Sequence, residues 1–283
     1  NTGNRIVAVL DPVDNIGILD KYEISANFFK KKLEFEKFIK KSKGTKDQID
    51  FLTICSPNYL HYEHILIGLK YKIKIICEKP LLIKISHLKM LIKKQKKFNL
   101  NIFPILQLRF HPICKKIEKL VKKSNKKKFI VDLIYIAPRG NWYTRSWKSN
   151  SSKSGGLACN IGIHLFDILI HYFGKVIDYK IYYKSNKTLI GYLKLENAEI
   201  NWILSTNPHM TKENKAIRKI KFLNKEFNFS NSNLNLHVES YKKILNNKGF
   251  DINDSIDSLK LVNLLKNARI TKVNINNYFK KFK

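Results

Sequence analysis

Short apolar runs alternate with amphipathic stretches through the first part of the chain. Four runs have the length and apolar content of buried parallel strands: residues 5–10, 49–55, 75–81 and 101–106. Three further stretches place apolar residues on one helical face and predict helices at residues 35–39, 60–71 and 88–98. Because strands that alternate with helices form a parallel sheet with right-handed crossovers, this pattern predicts an α/β domain.

The pattern changes after residue 106. A helix is predicted at residues 113–122, and a half-buried strand follows at 129–137, where apolar and polar residues alternate. Later runs predict antiparallel strands at residues 176–183, 188–195, 198–205 and 219–229. Helices are predicted at residues 157–173, 237–245 and 256–270. The second part of the chain is therefore predicted to be an α+β sheet domain.

The predicted helix at residues 157–173 carries two stripes. The apolar stripe contains Leu157, Ile161, Leu165, Ile168 and Tyr172. The polar stripe has spacings of four, three and four residues and contains Asn160, His164, Asp167 and His171. Two interpretations stay open, namely core histidines with satisfied ring nitrogens or side chains that face a ligand. Gly155 and Gly156 precede the helix and would allow a ligand or a strand to approach closely.

The run at residues 75–81 ends in Glu78-Lys79-Pro80. Proline has no N–H to donate to a neighbouring strand, so the strand must stop there. Ligands of open α/β sheets bind at the carboxyl ends of the strands, and two adjacent charges at such an end indicate a site. The alternative is an ordinary strand end with a solvated ion pair.

The first apolar run ends in Asp11. An acidic residue at this position of a dinucleotide-binding fold holds the adenosine ribose and would repel a 2′-phosphate, which favours NAD over NADP. The glycine-rich turn that should precede such a strand is absent, since the sequence contains no GxGxxG. In the strand order 3-2-1-4-5-6 the missing first βα unit is central, so we expect a gap in the parallel sheet.

Composition narrows the class of protein. The chain has 283 residues, of which 44% are hydrophobic, enough for two folded domains. Its four cysteines form no CxxC pair and no metal-ligand spacing, so we predict reduced thiols and no metal site. No run of 18 apolar residues and no secretory signal is present, so neither a membrane span nor export is predicted.

The formal net charge of +32 raises the possibility of nucleic-acid binding. However, the lysine runs are dispersed, and arginine and aromatic residues do not interleave with them as they do in a binding groove. The excess of Lys, Ile and Asn is what A/T-rich codons encode. Specific nucleic-acid and membrane partners are therefore not expected.

Several motifs occur in an order that resembles the Gfo/Idh/MocA family of NAD(P)-dependent sugar oxidoreductases. They are SPNYLHYEHI at residues 56–65, Glu78-Lys79-Pro80, ILQLRFHP at 105–112, RGNWY at 139–143, SWK at 146–148 and GGLACNIGIHLFDIL at 155–169. The resemblance covers nearly the whole chain. Glu-Lys-Pro is typical of the family broadly, whereas the later motifs resemble a subgroup that oxidises UDP-N-acetylglucosaminuronate.

The resemblance implies a Rossmann domain at residues 1–106, which lacks its first βα unit, and a substrate-binding and oligomerisation domain at 107–283 with a large open-faced, mostly antiparallel sheet. It implies that Lys79 and His164 are catalytic and meet at the nicotinamide ring. Predicted NAD-binding residues are Asp11, Ser56, Pro57, Asn58, His61, Glu78, Lys79, Gln107 and Trp147. Predicted substrate-binding residues are Arg109, Arg139, Asn141, Tyr143, Asn160 and His164.

The implied reaction is NAD-dependent oxidation of the C3 hydroxyl of UDP-N-acetylglucosaminuronate, in the cytoplasm, for lipopolysaccharide O-antigen synthesis by a dimeric or tetrameric enzyme. Arg139 or Arg109 is a candidate for the uronate carboxylate. Asp167 is expected to hold the ring of His171 or His164, or to face solvent. Two alternatives stay open: a non-catalytic relative without the phosphate-binding loop, or a dehydrogenase of the same family that acts on another sugar.

Overall fold

The structure is a computed structural model that describes residues 3–13, 17–124, 127–230 and 235–273. Its strands are β1 (Ala8–Leu10), β2 (Asn27–Phe29), β3 (Phe51–Ile54), β4 (Lys74–Cys77), β5 (Ile102–Pro104), β6 (Phe129–Ile136), β7 (Val176–Lys184), β8 (Thr188–Leu195), β9 (Ala198–Ser205), β10 (Ile217–Phe222) and β11 (Lys225–Asn228). Its helices are α1 (Lys32–Ser42), α2 (His61–Tyr71), α3 (Ser86–Phe98), α4 (Pro112–Lys123), α5 (Asn141–Arg145), α6 (Ser151–Ser154), α7 (Ile163–Phe173), α8 (Leu236–Leu245) and α9 (Ile256–Asn267).

The first five strands form two parallel sheets. One pairs β1 with β2, and the other has the order β3-β4-β5. Among the described residues no strand joins β1 to β3, which is the gap expected from the strand order. Ile54, Cys77 and Pro104 lie in register at the carboxyl ends of β3, β4 and β5. The predicted Rossmann-type parallel architecture is confirmed, and the segments that follow these strands lie at one edge.

The second half is built on a six-stranded sheet of order β11-β10-β6-β9-β8-β7. The pairing of β6 with β9 is parallel and the other pairings are antiparallel, which confirms a mostly antiparallel sheet. The single strand predicted at residues 219–229 is instead the hairpin of β10 and β11. Leu223 and Asn224 form its two-residue turn with positive φ angles of 51° and 55°, as tight hairpin turns require.

The helix at the centre of the second half packs on one face of this sheet. The ring of Phe166 in α7 meets Trp202 of β9 edge-on, with 5.4 Å between centroids. Gly162, just before α7, allows this close approach, since a Cβ there would lie 2.5 Å from Leu204 Cδ1. The main apolar core contains residues from both halves of the chain. This packing holds the start of α7 against the carboxyl edge of the parallel strands.

The helix predicted at residues 157–173 begins differently from the prediction. Ala158–Gly162 form a π-helical turn, and the α-helical part starts at Ile163. Gly155 and Gly156 have φ angles of +86° and +87°. A Cβ on Gly155 would lie 2.6 Å from Cys159 Sγ, so this glycine serves a left-handed turn and close packing, not the approach of a ligand as proposed from the sequence.

One segment, Ser151–Phe173, is long and apolar enough to cross a membrane by length and composition. This differs from the prediction that no segment would qualify. However, 72% of its most apolar window is buried inside the protein. Such burial is typical of the central helix of a folded domain, because a spanning helix must present its apolar side chains to lipid.

Candidate active site

A cleft of about 350 Å³ lies between the carboxyl ends of the parallel strands and the start of α7. Most of the residues that the sequence predicted for a site line it: Ser56, Asn58, His61, Glu78, Lys79, Arg139, Tyr143, Trp147, Asn160 and His164. Five predicted residues are not part of the lining among the residues described: Asp11, Pro57, Gln107, Arg109 and Asn141. The structure thus brings both predicted catalytic side chains into one cleft.

Lys79 extends from the end of β4 to the helix across the cleft. Its Nζ donates a hydrogen bond of 2.9 Å to the carbonyl oxygen of Asn160, in the π-helical turn. Burial lowers the pKa of Lys79, and the positive charges of Lys148 and Arg139 act in the same direction against the carboxylate of Glu78. Lys79 is therefore a half-buried hydrogen-bond donor next to the start of α7.

His164 lies in the first turn of α7 and lines the same cleft. Removal from water lowers its pKa well below the ordinary value, and the nearby charges of Lys79 and Arg218 lower it further. The ring is therefore neutral at pH 7. Within the described parts of the chain, no hydrogen bond to the ring is found and the residue lines the cleft, so the ring is available to a ligand. A neutral imidazole in this state is able to accept a proton.

Asn160 joins the two sides of the cleft. Its carbonyl oxygen accepts from Lys79, and its Nδ2 donates a bond of 3.0 Å to the hydroxyl oxygen of Tyr143. Burial raises the pKa of Tyr143. One residue of the π-helical turn, Asn160, therefore holds both the lysine and the tyrosine. Asn160 is itself 9% exposed.

His61 and Asn58 line the cleft, but their polar atoms mostly contact protein. The ring nitrogens of His61 lie 2.8 Å from the carbonyl oxygens of Pro80 and Ser56. Asn58 Nδ2 donates to the carbonyl oxygen of Ser154 at 2.9 Å. These bonds tie the loops after β3 and β4 to each other and to α6. Both residues therefore position these loops, and their predicted contact with the cofactor stays a prediction.

Glu78 is paired with a residue that the sequence did not single out. Its Oε1 lies 3.2 Å from Nε2 of His237 in α8, and this hydrogen bond raises the pKa of His237. The two residues are 159 positions apart. No local motif marks His237, so only the tertiary structure reveals that α8 reaches the Glu-Lys-Pro segment.

Arg109 is not placed to bind a substrate carboxylate, contrary to one prediction. Its Nε and Nη2 each donate at 2.8 Å to the carboxylate of Asp167, and both side chains are about 95% buried, being 6% and 5% exposed. Nη1 and Nη2 also donate to Asp254, at 3.3 and 2.8 Å. Asp167 therefore holds an arginine, not a histidine ring. Breaking a buried pair of this kind typically costs about 3–5 kcal/mol.

The remaining predicted residues occupy different surroundings. Asp11 follows β1 and accepts from the N–H of Val13 at 2.9 Å. Asn141 is exposed, and its carbonyl oxygen accepts from Thr144 at 2.7 Å. Pro57 stands before a short 3-10 turn, outside the cleft. Trp147 lines the cleft, and its indole has the ammonium of Lys148 5.7 Å above it.

The charges that line the cleft are mainly positive. Lys79, Arg139 and Lys148 contribute cations, whereas the one carboxylate of the lining, Glu78, is paired with His237. A site with this balance attracts an anionic ligand more strongly than a neutral one.

Two family models match the chain. Residues 3–103 match the NAD-binding Rossmann fold of the Gfo/Idh/MocA oxidoreductase family, and residues 127–236 match the C-terminal alpha/beta domain of the same family. Together the two matches span most of the sequence. They agree with the parallel sheets of the first half and the large mixed sheet of the second.

Solved structures give the same result. The WlbA (WbpB) dehydrogenase from Thermus thermophilus, in complex with NAD and UDP-GlcNAcA, is 32% identical with a TM-score of 0.90, and the match covers 95% of this chain and 89% of that one. The WlbA dehydrogenase from Bordetella pertussis, in complex with NADH and UDP-GlcNAcA, shares the fold at 16% identity, TM-score 0.75, with 92% and 86% covered. The chain therefore belongs to the Gfo/Idh/MocA family of NAD-dependent oxidoreductases.

Proposed function

We propose that this chain oxidises the C3 hydroxyl of UDP-N-acetylglucosaminuronate (UDP-GlcNAcA) to a 3-oxo sugar. The observation that supports this most directly is the shared cleft of Lys79 and His164, which lie 85 positions apart in the sequence. The Thermus relative crystallised with NAD and UDP-GlcNAcA supports the choice of substrate. A donor and a neutral base at one point are what oxidation of an alcohol requires.

The residues at the strand ends fit NAD. Glu78 follows β4, and Gln107 follows β5 at the same edge of the sheet. Gln107 is 8% exposed, and its buried Oε1 has no donor in the part of the chain that is described, so it is able to accept from a bound group that brings an N–H. Asp11, at the end of β1, is the candidate for the ribose hydroxyls. When bound, NAD supplies a ring that takes up the hydride from the substrate carbon.

His164 and Lys79 act on the hydroxyl group in different ways. As the C3–H bond gives up its electron pair, the O–H proton passes to a ring nitrogen of His164, and the C3–O bond becomes a carbonyl. Lys79 donates to the same oxygen and stabilises the negative charge that develops on it. Asn160 holds Lys79 in place through its carbonyl oxygen. Tyr143 fixes the side chain of Asn160 in turn.

A comparison of two nucleotide sugars tests the substrate. UDP-GlcNAc keeps the nucleotide and the N-acetyl group but has a hydroxymethyl group where UDP-GlcNAcA has its carboxylate. Because the cleft is cationic, we expect kcat/KM for the acid to exceed that for UDP-GlcNAc by about 10- to 100-fold, which corresponds to one buried charge-assisted contact. NADH formation measures both rates. Equal rates, or activity only on sugars without a nucleotide, would assign another substrate within the family.

We also propose that the chain acts in the cytoplasm, in nucleotide-sugar supply for lipopolysaccharide O-antigen, as a homo-oligomer. Ile130 of β6, on the sheet face opposite α7, is 65% exposed and supports the homo-oligomer; it lies on the same face as the buried cluster of Ile134, Ile136, Ile190 and Ile203. Light scattering of the purified chain should give the mass of a dimer or tetramer. A monomer at micromolar concentration would contradict the proposal.

A further inference from the structure

Arg218 occupies a position where an apolar residue is expected. One face of β10 carries Arg218, Ile220 and Phe222. Ile220 and Phe222 are buried in the main core, at 0% and 3% exposure. Alternate residues of a strand share a face, so Arg218 lies on the helix-covered face of the sheet. A cation on such a face is costly unless an anion compensates it.

The charge of Arg218 has no compensating anion within the described ranges of the chain. Among the residues that the structure describes, no carboxylate pairs with Arg218, and its Nε is buried without an acceptor. Arg109 differs in this respect, since its guanidinium is held by the two aspartates Asp167 and Asp254. Arg109 is a structural arginine, whereas Arg218 has donors that nothing in the described protein uses.

The surroundings of Arg218 connect it to the cleft. Its register partner in β6 is Tyr135, and the guanidinium carbon lies 5.5 Å from the centroid of the tyrosine ring. Tyr135 lines the cleft together with His164. The charge of Arg218 also contributes to the lowered pKa of His164. The guanidinium is thus packed on the ring of Tyr135, a residue of the cleft wall that also contains the proposed catalytic base.

We propose that Arg218 binds the carboxylate of the sugar acid and thereby sets the preference for an acid over a neutral hexosamine. The inference rests on the proposed function, because it supplies the residue that recognises the uronate. A planar guanidinium offers parallel pairs of N–H donors, which match a planar carboxylate. In this assignment Arg218 replaces Arg109, whose donors are occupied.

The carboxylate is favoured over the diphosphate because the cleft offers other cations to a diphosphate. C1, which carries the diphosphate, and C5, which carries the carboxylate, are both two ring carbons from C3, so closeness to His164 alone does not separate the two anions. The diphosphate has other cations available: Arg139 lines the cleft, and Lys148 lies 5.5 and 5.7 Å from the ring centroids of Trp142 and Trp147. Arg218 is therefore assigned to the acid group alone.

Calorimetric titration with UDP-GlcNAcA and with UDP-GlcNAc tests the assignment on the full chain. Arg218→Met should weaken binding of the acid about 10- to 100-fold and leave binding of UDP-GlcNAc unchanged. Arg218→Lys, which keeps the charge but loses the planar fork, should recover only part of the loss. Arg145→Met removes an exposed positive charge at the end of α5, from a residue that is not part of the cleft lining, and should change neither affinity.

Three results would overturn the assignment of Arg218, and one of them would also overturn the proposed substrate. Retention of the preference for the acid in Arg218→Met would overturn the role of Arg218 and leave the proposed substrate intact. Equal weakening of both ligands would assign Arg218 to the diphosphate and overturn the inference. A wild-type chain that binds both ligands equally, or neither, would overturn the proposed substrate itself and with it the inference.

Thermal unfolding without ligand separates recognition from a structural role. Because the guanidinium of Arg218 is unpaired, Arg218→Met should keep or raise the Tm, while the rise in Tm caused by UDP-GlcNAcA should shrink. Arg109→Met is the matched comparison, since it leaves Asp167 buried without a partner and should lower the Tm by several degrees. A fall in Tm for Arg218→Met as large as for Arg109→Met would mark Arg218 as structural.

Discussion

Lys79→Met should lower kcat for the sugar acid by at least about 1,000-fold while leaving the fold intact. The change removes the donor that we assign to the developing oxyanion, and one such donor is typically worth 100- to 1,000-fold in rate. Lysine adds a full positive charge to that hydrogen bond, in a half-buried site where water screens it weakly. Steady-state rates of NADH formation, with NAD and UDP-GlcNAcA both saturating, measure the effect.

The loss should fall mainly on kcat, because the interaction strengthens only as the hydroxyl loses its proton. Lys84→Met is a suitable control, since Lys84 is an exposed lysine a few residues further along the same loop. Stability should not fall in Lys79→Met, because a methionine replaces an ammonium that burial disfavours. Turnover within tenfold of the wild type would show that Lys79 does not contact the reacting oxygen.

The parts of the site that the sequence predicted follow from local rules. Strand ends in a parallel sheet meet at one edge, so the segments after residues 54 and 77 had to lie together. Helical spacing placed Asn160 and His164 on one face, and the structure brings both to the cleft. Each of these inferences needs only the period of one element or the direction of one sheet.

The polar stripe of the central helix shows where local rules fail. The spacing predicted that Asn160, His164, Asp167 and His171 form one continuous face. His164 and Asp167 both lie in the regular helix α7, about one turn apart, but His164 lines the cleft whereas the buried Asp167 pairs with Arg109. The partner of Asp167 lies 58 residues away on another element, and the spacing of residues along one helix gives no information about such a partner.

Arg218 and His237 were missed for different reasons. Arg218 had a detectable signal, because it stands in the apolar register of β10, but the strand was predicted to begin at residue 219 and so excluded it. His237 had none, since it lies on the exposed face of helix α8, is 58% exposed and belongs to no motif. An arginine in an apolar register is therefore a useful marker of a ligand site, provided that the strand boundaries are extended by a few residues.

His164→Asn should lower kcat by about 100- to 10,000-fold, the range typical of the loss of a positioned general base. Asparagine keeps the size and polarity of the side chain approximately but cannot accept the proton of the C3 hydroxyl near pH 7. Because the ring of His164 has no hydrogen bond to the described protein, the substitution should cost little stability. His209→Asn, in an exposed 3-10 turn, serves as the control and should keep full activity.

The pH dependence distinguishes a base from a side chain that merely fills space. The folded-state pKa of His164 lies well below the ordinary value of 6.5, and its neutral form is the active one. In the wild type, kcat should therefore stay level as the pH falls to about 6.5 and decline only below it, as the imidazole takes up a proton. The residual activity of His164→Asn should lack this decline. A wild-type decline that begins above pH 7 would contradict a buried neutral base.

Stability should follow the same titration with a defined sign. A histidine whose pKa is lowered by folding binds more protons in the unfolded state, so it favours unfolding increasingly as the pH falls below about 6.5. The difference in Tm between wild type and His164→Asn should therefore shift in favour of the variant between pH 7 and pH 5. A constant Tm difference over this range would mean that His164 has the same pKa in the folded and unfolded states. The fold would then not be what keeps the imidazole neutral.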